Sequence, residues 1–260
     1  MTAMTLGPAH NIKPVGSYGV ITNDTGGLGE IRNLVGGTGT ARWKQLINGM
    51  HLAGAWGPVE YVELPPGASC GEHLHAEREE IYYIVDGSAV MQVDGRPVEV
   101  TAGDLITCPL GTVHGIGVPD DAERAMQFFV VEIFPQQGPP RPAARISVRD
   151  QLQPSLGYRG YGGDDLLVAR VDLTRYFTGP WRAFTEMEVP PDAVVGPYST
   201  EPGTAEVLFV TEGEAEIVAD SQALKGGPGL CLGSSLGSTL TVRNTSDSRV
   251  LRLISTQVAA

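Results

Sequence analysis

The residues of this chain best equipped for chemistry lie between 71 and 114, where three of its five histidines, His73, His75 and His114, sit among carboxylates. In GEHLHAEREEIYYIVDG, His73 and His75 are two residues apart, so on a strand both imidazoles project from one face. Glu80 is five residues beyond His75, an odd separation that would put it on the opposite face of an unbroken strand. The polar AERE stretch must therefore turn the chain, so that Glu80 opens the next strand and faces back. His114 follows the turn Pro109-Leu110-Gly111 and can bring a further imidazole from a neighbouring strand. Three imidazoles and one carboxylate suit one divalent first-row metal, Fe(II), Mn(II), Ni(II), Cu(II) or Zn(II), and leave one position open on a tetragonal site or two on an octahedral one. Taken alone, an HxH pair is more often two loop histidines, so the elements around it carry the weight.

Those elements read as antiparallel β. IYYIVDG (81–87) is a β-branched and aromatic run ending in Asp-Gly. In AVMQVDGRPVEV, Asp94-Gly95 stands between two strand-like runs, a type I′ hairpin signal. TAGDLI and CPLGTVHGI supply another turn, another short strand and a proline-glycine turn. Short strands with turns every eight to twelve residues suggest a small barrel or a double-sheet jelly roll. The stretch ARWKQLINGM (41–50) is compatible with one short helix, and the glycine-rich GGLGEIRNLVGGTGTA before it reads as turns. Tyr82 shares parity with Glu80, so it is a candidate to point toward the metal and to orient a substrate or donate a proton there. Cys70 and Cys108 border the histidines and read as small buried thiols; Glu77 and Arg78 read as solvated turn residues.

PQQGPPRPAAR (135–145), with four prolines in eleven residues, is a linker that divides the chain nearly in half. The halves repeat. AWGPVEYVELPPGA (55–68) lies over PWRAFTEMEVPPDA (180–193) at an offset of 125, matching Trp56 to Trp181 and Pro65-Pro66 to Pro190-Pro191. After a one-residue insertion the offset is 126, and Glu80, Gly87, Gly103 and Gly111 fall on Glu206, Gly213, Gly229 and Gly237. The division expected is therefore 1–134 with the metal ligands, 135–145 as linker, and 146–260 as a second barrel. In that second half His73 corresponds to Tyr198 or Ser199, His75 to Thr200 or Glu201 and His114 to Leu240; only Glu206 is retained. One metal per chain is expected.

The arrangement resembles the cupin superfamily, whose motifs are G-x5-H-x-H-x3–4-E-x6-G and G-x5-P-x-G-x2-H-x3-N. The first reads here from His73-Leu74-His75 through four residues to Glu80 and six more to Gly87; the second reads Gly103, DLITC, Pro109-Leu110-Gly111, Thr112-Val113, His114. That spacing selects Glu80 over the adjacent Glu79. Gly71 stands two residues before His73 where the pattern has six, with Gly67 the other candidate, and Val118 replaces the terminal asparagine. The resemblance implies an all-β chain of two tandem double-stranded β-helix (jelly-roll) barrels, the first metal-binding through His73, His75, Glu80 and His114, the second degenerate. It further implies a metal enzyme acting on a small organic substrate, with Fe the leading metal and an oxygenase-type oxidoreductase the leading activity. The alternatives are non-redox Lewis-acid chemistry and non-catalytic small-molecule binding. Paired barrels of this kind also lead us to expect a second barrel that covers the mouth of the first or forms a homodimer face.

Composition narrows the remaining classes. Gly (34) and Pro (19) make up about a fifth of the 260 residues and charged residues only 18%, which favours turns and short strands over helical bundles. A net charge of −12 without any Lys/Arg cluster argues against nucleic acid and anionic membranes as partners. The N-terminal MTAMTLGPAHNIKPVGSYG has no basic stretch followed by an apolar one, and FFVVEIF (128–134), which carries Glu132, is too short to span a bilayer. A cytoplasmic protein is expected. Cys70, Cys108 and Cys231 are widely spaced and lack a CxxC pair, as free thiols in a reducing compartment would be.

Overall fold

The computed structural model describes residues 13–15, 20–135, 138–139, 141–234 and 236–260. Most of the leader sequence read above, and Gln136, Gln137 and Pro140 of the linker, lie outside the described residues. The rest is all-β: the helical pieces among the described residues are three-residue 3-10 turns, and none is long and apolar enough to cross a membrane.

Each half builds one barrel from two sheets. In the first, Ala144–Ser147, Asp104–Cys108, Glu79–Asp86, Met126–Ile133, Trp56–Leu64, Thr40–Ile47 and Gly29–Arg32 lie side by side, facing a four-stranded sheet of Ser69–Leu74, Val113–Gly117, Ser88–Val93 and Arg96–Thr101. The second half repeats the plan, with Cys231–Ser234, Thr204–Glu212, Leu251–Ala259 and Trp181–Val189 at the centre of its large sheet. The Asp94-Gly95 hairpin has positive φ at both residues, 49° and 73°, the geometry of a type I′ turn.

Strand alternation sorts the central residues of the first barrel into one of two cores. On Glu79–Asp86, Tyr82 and Ile84 point into the first barrel, whereas Ile81 and Tyr83 point out of it. On Met126–Ile133, Phe128 and Val130 go inward and Phe129, Val131 and Ile133 outward. The outward residues meet Phe184, Val207, Phe209 and Ile254 of the second half in one continuous apolar cluster, so the two large sheets pack face to face.

Strand pairing also crosses the boundaries drawn at 134 and 146. Val20–Asn23 adds to the second barrel by pairing with Cys231–Ser234, while Ala144–Ser147 adds to the first by pairing with Asp104–Cys108. One strand thus ties each barrel to chain assigned to the other side of its boundary. A fragment ending at residue 145 cuts one of these strands and uncovers Ile81, Tyr83, Phe129 and Val131, each at most 1% exposed. We expect that fragment to aggregate or to bind a dye for exposed apolar surface; a soluble monomer with native circular dichroism would show that the first barrel stands alone.

Residues 41–50 depart from the helix expected for them. Thr40–Ile47 is a strand between Gly29–Arg32 and Trp56–Leu64, followed by a single 3-10 turn at Gly49–His51. The preceding glycine-rich stretch likewise contains the edge strand Gly29–Arg32. A short segment gains little from helix formation on its own, whereas as a strand it pairs on both sides and buries Leu46 between the barrels. It also buries Lys44, whose ammonium donates to the carbonyls of Asp24 (2.7 Å) and Gly26 (2.6 Å).

Candidate metal centre

His73 lies near the end of Ser69–Leu74 and is the direct cross-strand partner of His114 on Val113–Gly117. His75, just past the strand end, continues the ladder: its N–H donates to Thr112 O at 3.0 Å, and its carbonyl accepts from Gly111 N–H at 2.8 Å. The chain then turns through residues 76–78 and re-enters the opposite sheet at Glu79, which aims Glu80 back into the barrel as the parity argument requires. The glycine pattern becomes intelligible here. Gly67, six residues before His73, holds the left-handed turn (φ 79°) that opens the strand. Gly71 instead admits a crossing segment, since a Cβ there would lie 2.4 Å from the carbonyl oxygen of Val35.

The four side chains converge. Nε2 of His73 is 3.1 Å from Nε2 of His75 and 3.2 Å from Nε2 of His114, and Oε2 of Glu80 is 3.0 Å from His75 Nε2 and 3.2 Å from His114 Nε2. One donor atom from each residue falls within 4.8 Å of all the others, a group able to hold a metal ion. Nδ1–H of His73 donates to Gly71 O at 2.9 Å, which leaves its Nε2 lone pair facing the centre. Nδ1 of His114 is 2.7 Å from Sγ of Cys108. Burial, and then the charge of Glu80, hold the Cys108 thiol well above its ordinary pKa, so it remains a thiol; when Nε2 of His114 serves as a ligand, Nδ1 carries the proton and Sγ is its acceptor. Glu80 Oε2 is buried without a hydrogen-bond partner. Lone pairs aimed at one another with an orphaned carboxylate oxygen among them fit a cation at their centre.

The surroundings tune these groups. Burial opposes charge on Glu80, but the imidazoles of His114 and His75 beside it outweigh burial and bring its carboxyl down to about 2. For His75, burial disfavours the imidazolium, yet Glu80 more than compensates and raises the pKa. For His73 burial prevails and lowers it. Tyr82 is buried, edge-on to the His114 ring at 5.1 Å and packed on Phe128 at 5.2 Å. Burial keeps its hydroxyl protonated, a donor and not a base. Cys70 and Cys231 are free and buried like Cys108, and burial pushes Cys70 up to about 12.

Above the centre lies a cavity of about 870 Å³, with His73, His75, Glu80 and Tyr82 on its floor and Trp43, Val62, Phe128 and Val130 in its wall. Four charged residues that sequence reasoning did not assign to the site also line it: Glu60, Glu77, Arg78 and Glu132, of which Glu77 is exposed as a turn residue should be. Arg78 lies in the turn with its side chain 44% exposed, but it is not free: it pairs with Glu132 and lies over the Phe134 ring at 5.1 Å. Burial, and after it the charge of Glu132, pushes the Glu60 carboxyl up to about 8. Burial and the charge of Glu80 likewise raise Glu132. The signal for both was present as parity: Glu132 alternates with Phe128 and Val130, and Glu60 with Val62 and Leu64. Glu79, the neighbour of Glu80, faces the other barrel. Its carboxylate accepts from Thr178 N–H and Oγ1–H, Gly179 N–H and Trp181 Nε1–H at 2.8–2.9 Å and so joins the two halves.

A family model described as a cupin domain matches residues 60–132. Over 86 residues the chain is 34% identical to an oxalate-binding protein of Thermotoga maritima, a match spanning 33% of this chain and 71% of that protein. The chain belongs to the cupin superfamily. This cupin is also 36% identical over 92 residues to the acireductone dioxygenase of Danio rerio, covering 33% of this chain but only 50% of the enzyme. Bacillus subtilis oxalate decarboxylase, a protein with Mn(II) centres, superposes over 95% of this cupin and 80% of its own chain with a TM-score of 0.67. At 16% identity that likeness extends to the fold of both barrels and no further.

In the second barrel Tyr198 pairs with Leu240 as His73 pairs with His114, which settles the register: Tyr198 takes the His73 position, Thr200 that of His75, and the inserted residue lies in the following loop. Arg159 fills the space between them. Its guanidinium donates to Glu206 Oε1 at 2.5 Å and to Tyr198 OH at 2.7 Å, and it lies over the Tyr198 ring at 4.2 Å with its side chain 8% exposed. A covalently attached cation thus neutralises the retained glutamate.

The Cys108 contact gives a first test of the centre. Cys108→Ala removes the partner of His114 Nδ1 without touching a ligand, and we expect metal affinity to fall roughly 10–100-fold in a competition titration with a chromophoric chelator. Unchanged affinity would mean that the thiol does not orient the imidazole.

Proposed function

We propose that this cupin is a metal-dependent enzyme in which His73, His75, Glu80 and His114 hold one divalent transition metal, and that it acts as an oxygenase-type oxidoreductase on a small organic substrate. The observation that carries the reading is the convergence of these four donor atoms at the floor of a large cavity. Fe is the metal we favour. Such an ion, when bound, would supply electron transfer to dioxygen or, if redox-silent, Lewis-acid polarisation of a substrate oxygen. The protein does the rest. Cys108 and Gly71 hold two imidazoles in the ligating tautomer, Tyr82 offers a protonated hydroxyl beside His114, and Trp43, Val62, Phe128 and Val130 give the cavity an apolar wall. The likeness to a dioxygenase supports the oxidative reading. One observation favours a second, non-redox reading: a cavity carboxyl that stays protonated to about pH 8, Glu60, can give and take protons in an isomerisation or a lyase-type step.

Anaerobic purification without added metal, followed by elemental analysis, tests the proposal. Iron or copper, with oxygen consumption on turnover, is the expected result. Zinc would favour the second reading, and a protein that binds no transition metal under any loading condition would sink both.

Metal affinity should also depend on pH. Protons compete for a liganding imidazole, and His75 binds them above the ordinary value of about 6.5. Affinity is therefore full above that raised pKa and is lost as pH falls through it. Glu80, held to about 2, stays ionised throughout. Between pH 7 and 5 we expect a loss of roughly 10–100-fold by competition titration; a flat profile would contradict a three-histidine centre.

A further inference from the structure

Seven large apolar side chains are exposed among the described residues, and four of them, Val35, Met50, Leu74 and Phe134, line the cavity above the candidate centre. Met50 is 85% exposed and Leu74 57%. Apolar groups gathered at a mouth, and not scattered singly, mark a surface that meets an apolar ligand. Charge points the same way. Arg78 is the sole Lys or Arg among the described lining residues, and Glu132 neutralises it, while Glu60 and Glu77 contribute further carboxyls. A small dianion such as oxalate would meet no unpaired cationic side chain there. It would also leave most of about 870 Å³ to water, in a space whose size suits a ligand of drug-like dimensions.

We propose that the cavity takes an uncharged molecule of at least two rings, its apolar body against the collar of Met50, Leu74 and Phe134 and a hydrogen-bond donor toward Glu60, in preference to small dicarboxylates. The inference rests on the metal-enzyme reading only for the chemistry done on such a molecule; the binding itself is a property of the cavity walls. That separation makes the two readings independently testable.

The probe is N-phenyl-1-naphthylamine, an uncharged multi-ring amine whose fluorescence rises in apolar surroundings. It is titrated into full-length protein with and without zinc, with metal content measured on the same samples. We expect saturable binding in both states, weakened about tenfold or more by Met50→Asp and by Phe134→Asp. Both positions are exposed, so circular dichroism should be unchanged. Oxalate, followed by calorimetry on the zinc-loaded protein, should bind more weakly than the probe and gain at least about threefold in Glu132→Gln, which releases Arg78 from its partner. Failure of the probe to bind, wild-type affinity in both collar variants, or tighter binding of oxalate than of the probe would each overturn the inference. Probe binding by a protein that takes up no metal would uphold the inference and sink the enzyme reading.

Discussion

His75→Ala should abolish metal retention while leaving the protein folded. His75 supplies one of four donors, and its Nε2 lies 3.1 Å from that of His73 and 3.0 Å from Glu80 Oε2. Its loss removes a ligand outright, so the fall in affinity should exceed the roughly 10–100-fold that outer partners cost. The barrel keeps its shape because Val62, Leu64, Tyr82, Ile84, Phe128 and Val130 form their own apolar core. Glu80→Gln should act in the same direction by removing the one anionic donor. Elemental analysis after dialysis reads both variants, and activity should vanish with the metal. Global unfolding of His75→Ala by circular dichroism would show instead that the metal is structural.

Glu206→Gln should produce the opposite pattern, with metal content unchanged and stability sharply reduced. Glu206 and Arg159 form a buried pair with side chains 0% and 8% exposed. Removing one member strands the other's charge, at a cost of about 3–5 kcal/mol. At roughly 2–4 °C per kcal/mol for a chain of this size, the melting temperature should fall by about 10 °C. Pairing Glu206→Gln with Arg159→Met removes both charges and should recover much of the loss. Loss of metal on Glu206→Gln, or two tightly held transition metals per chain in the wild type, would contradict a single centre in the first barrel.

The contrast between these glutamates shows how far local pattern reaches. Parity guarantees only that one of two adjacent carboxylates faces the histidines and the other does not, because alternate side chains of a strand point to opposite faces whatever packs on them. Glu80 and Glu79 are adjacent, yet one enters the barrel and the other caps Thr178, Gly179 and Trp181 about a hundred residues away. The resemblance to the cupin motif, with four residues between His75 and Glu80 and six more before Gly87, selected the inward member. It could not assign a role to the outward one, whose partners come from the other barrel.

By itself, the sequence determined the β architecture, the internal repeat and the Asp94-Gly95 hairpin, consequences of short-range spacing and turn chemistry, while its resemblance to the cupin motifs pointed to the four side chains that converge, His73, His75, Glu80 and His114. Tertiary structure alone decided that residues 40–47 form a strand, since pairing on both edges outweighs a weak local helical preference. It alone decided that Val20–Asn23 and Ala144–Ser147 join opposite barrels, and that Arg78 is bound to Glu132 over the cavity. Arg159 is the clearest case. Nothing near it in sequence indicates that it occupies the space left by lost ligands, because a buried charge is tolerated only where distant residues supply the opposite one, and Glu206 lies 47 residues on.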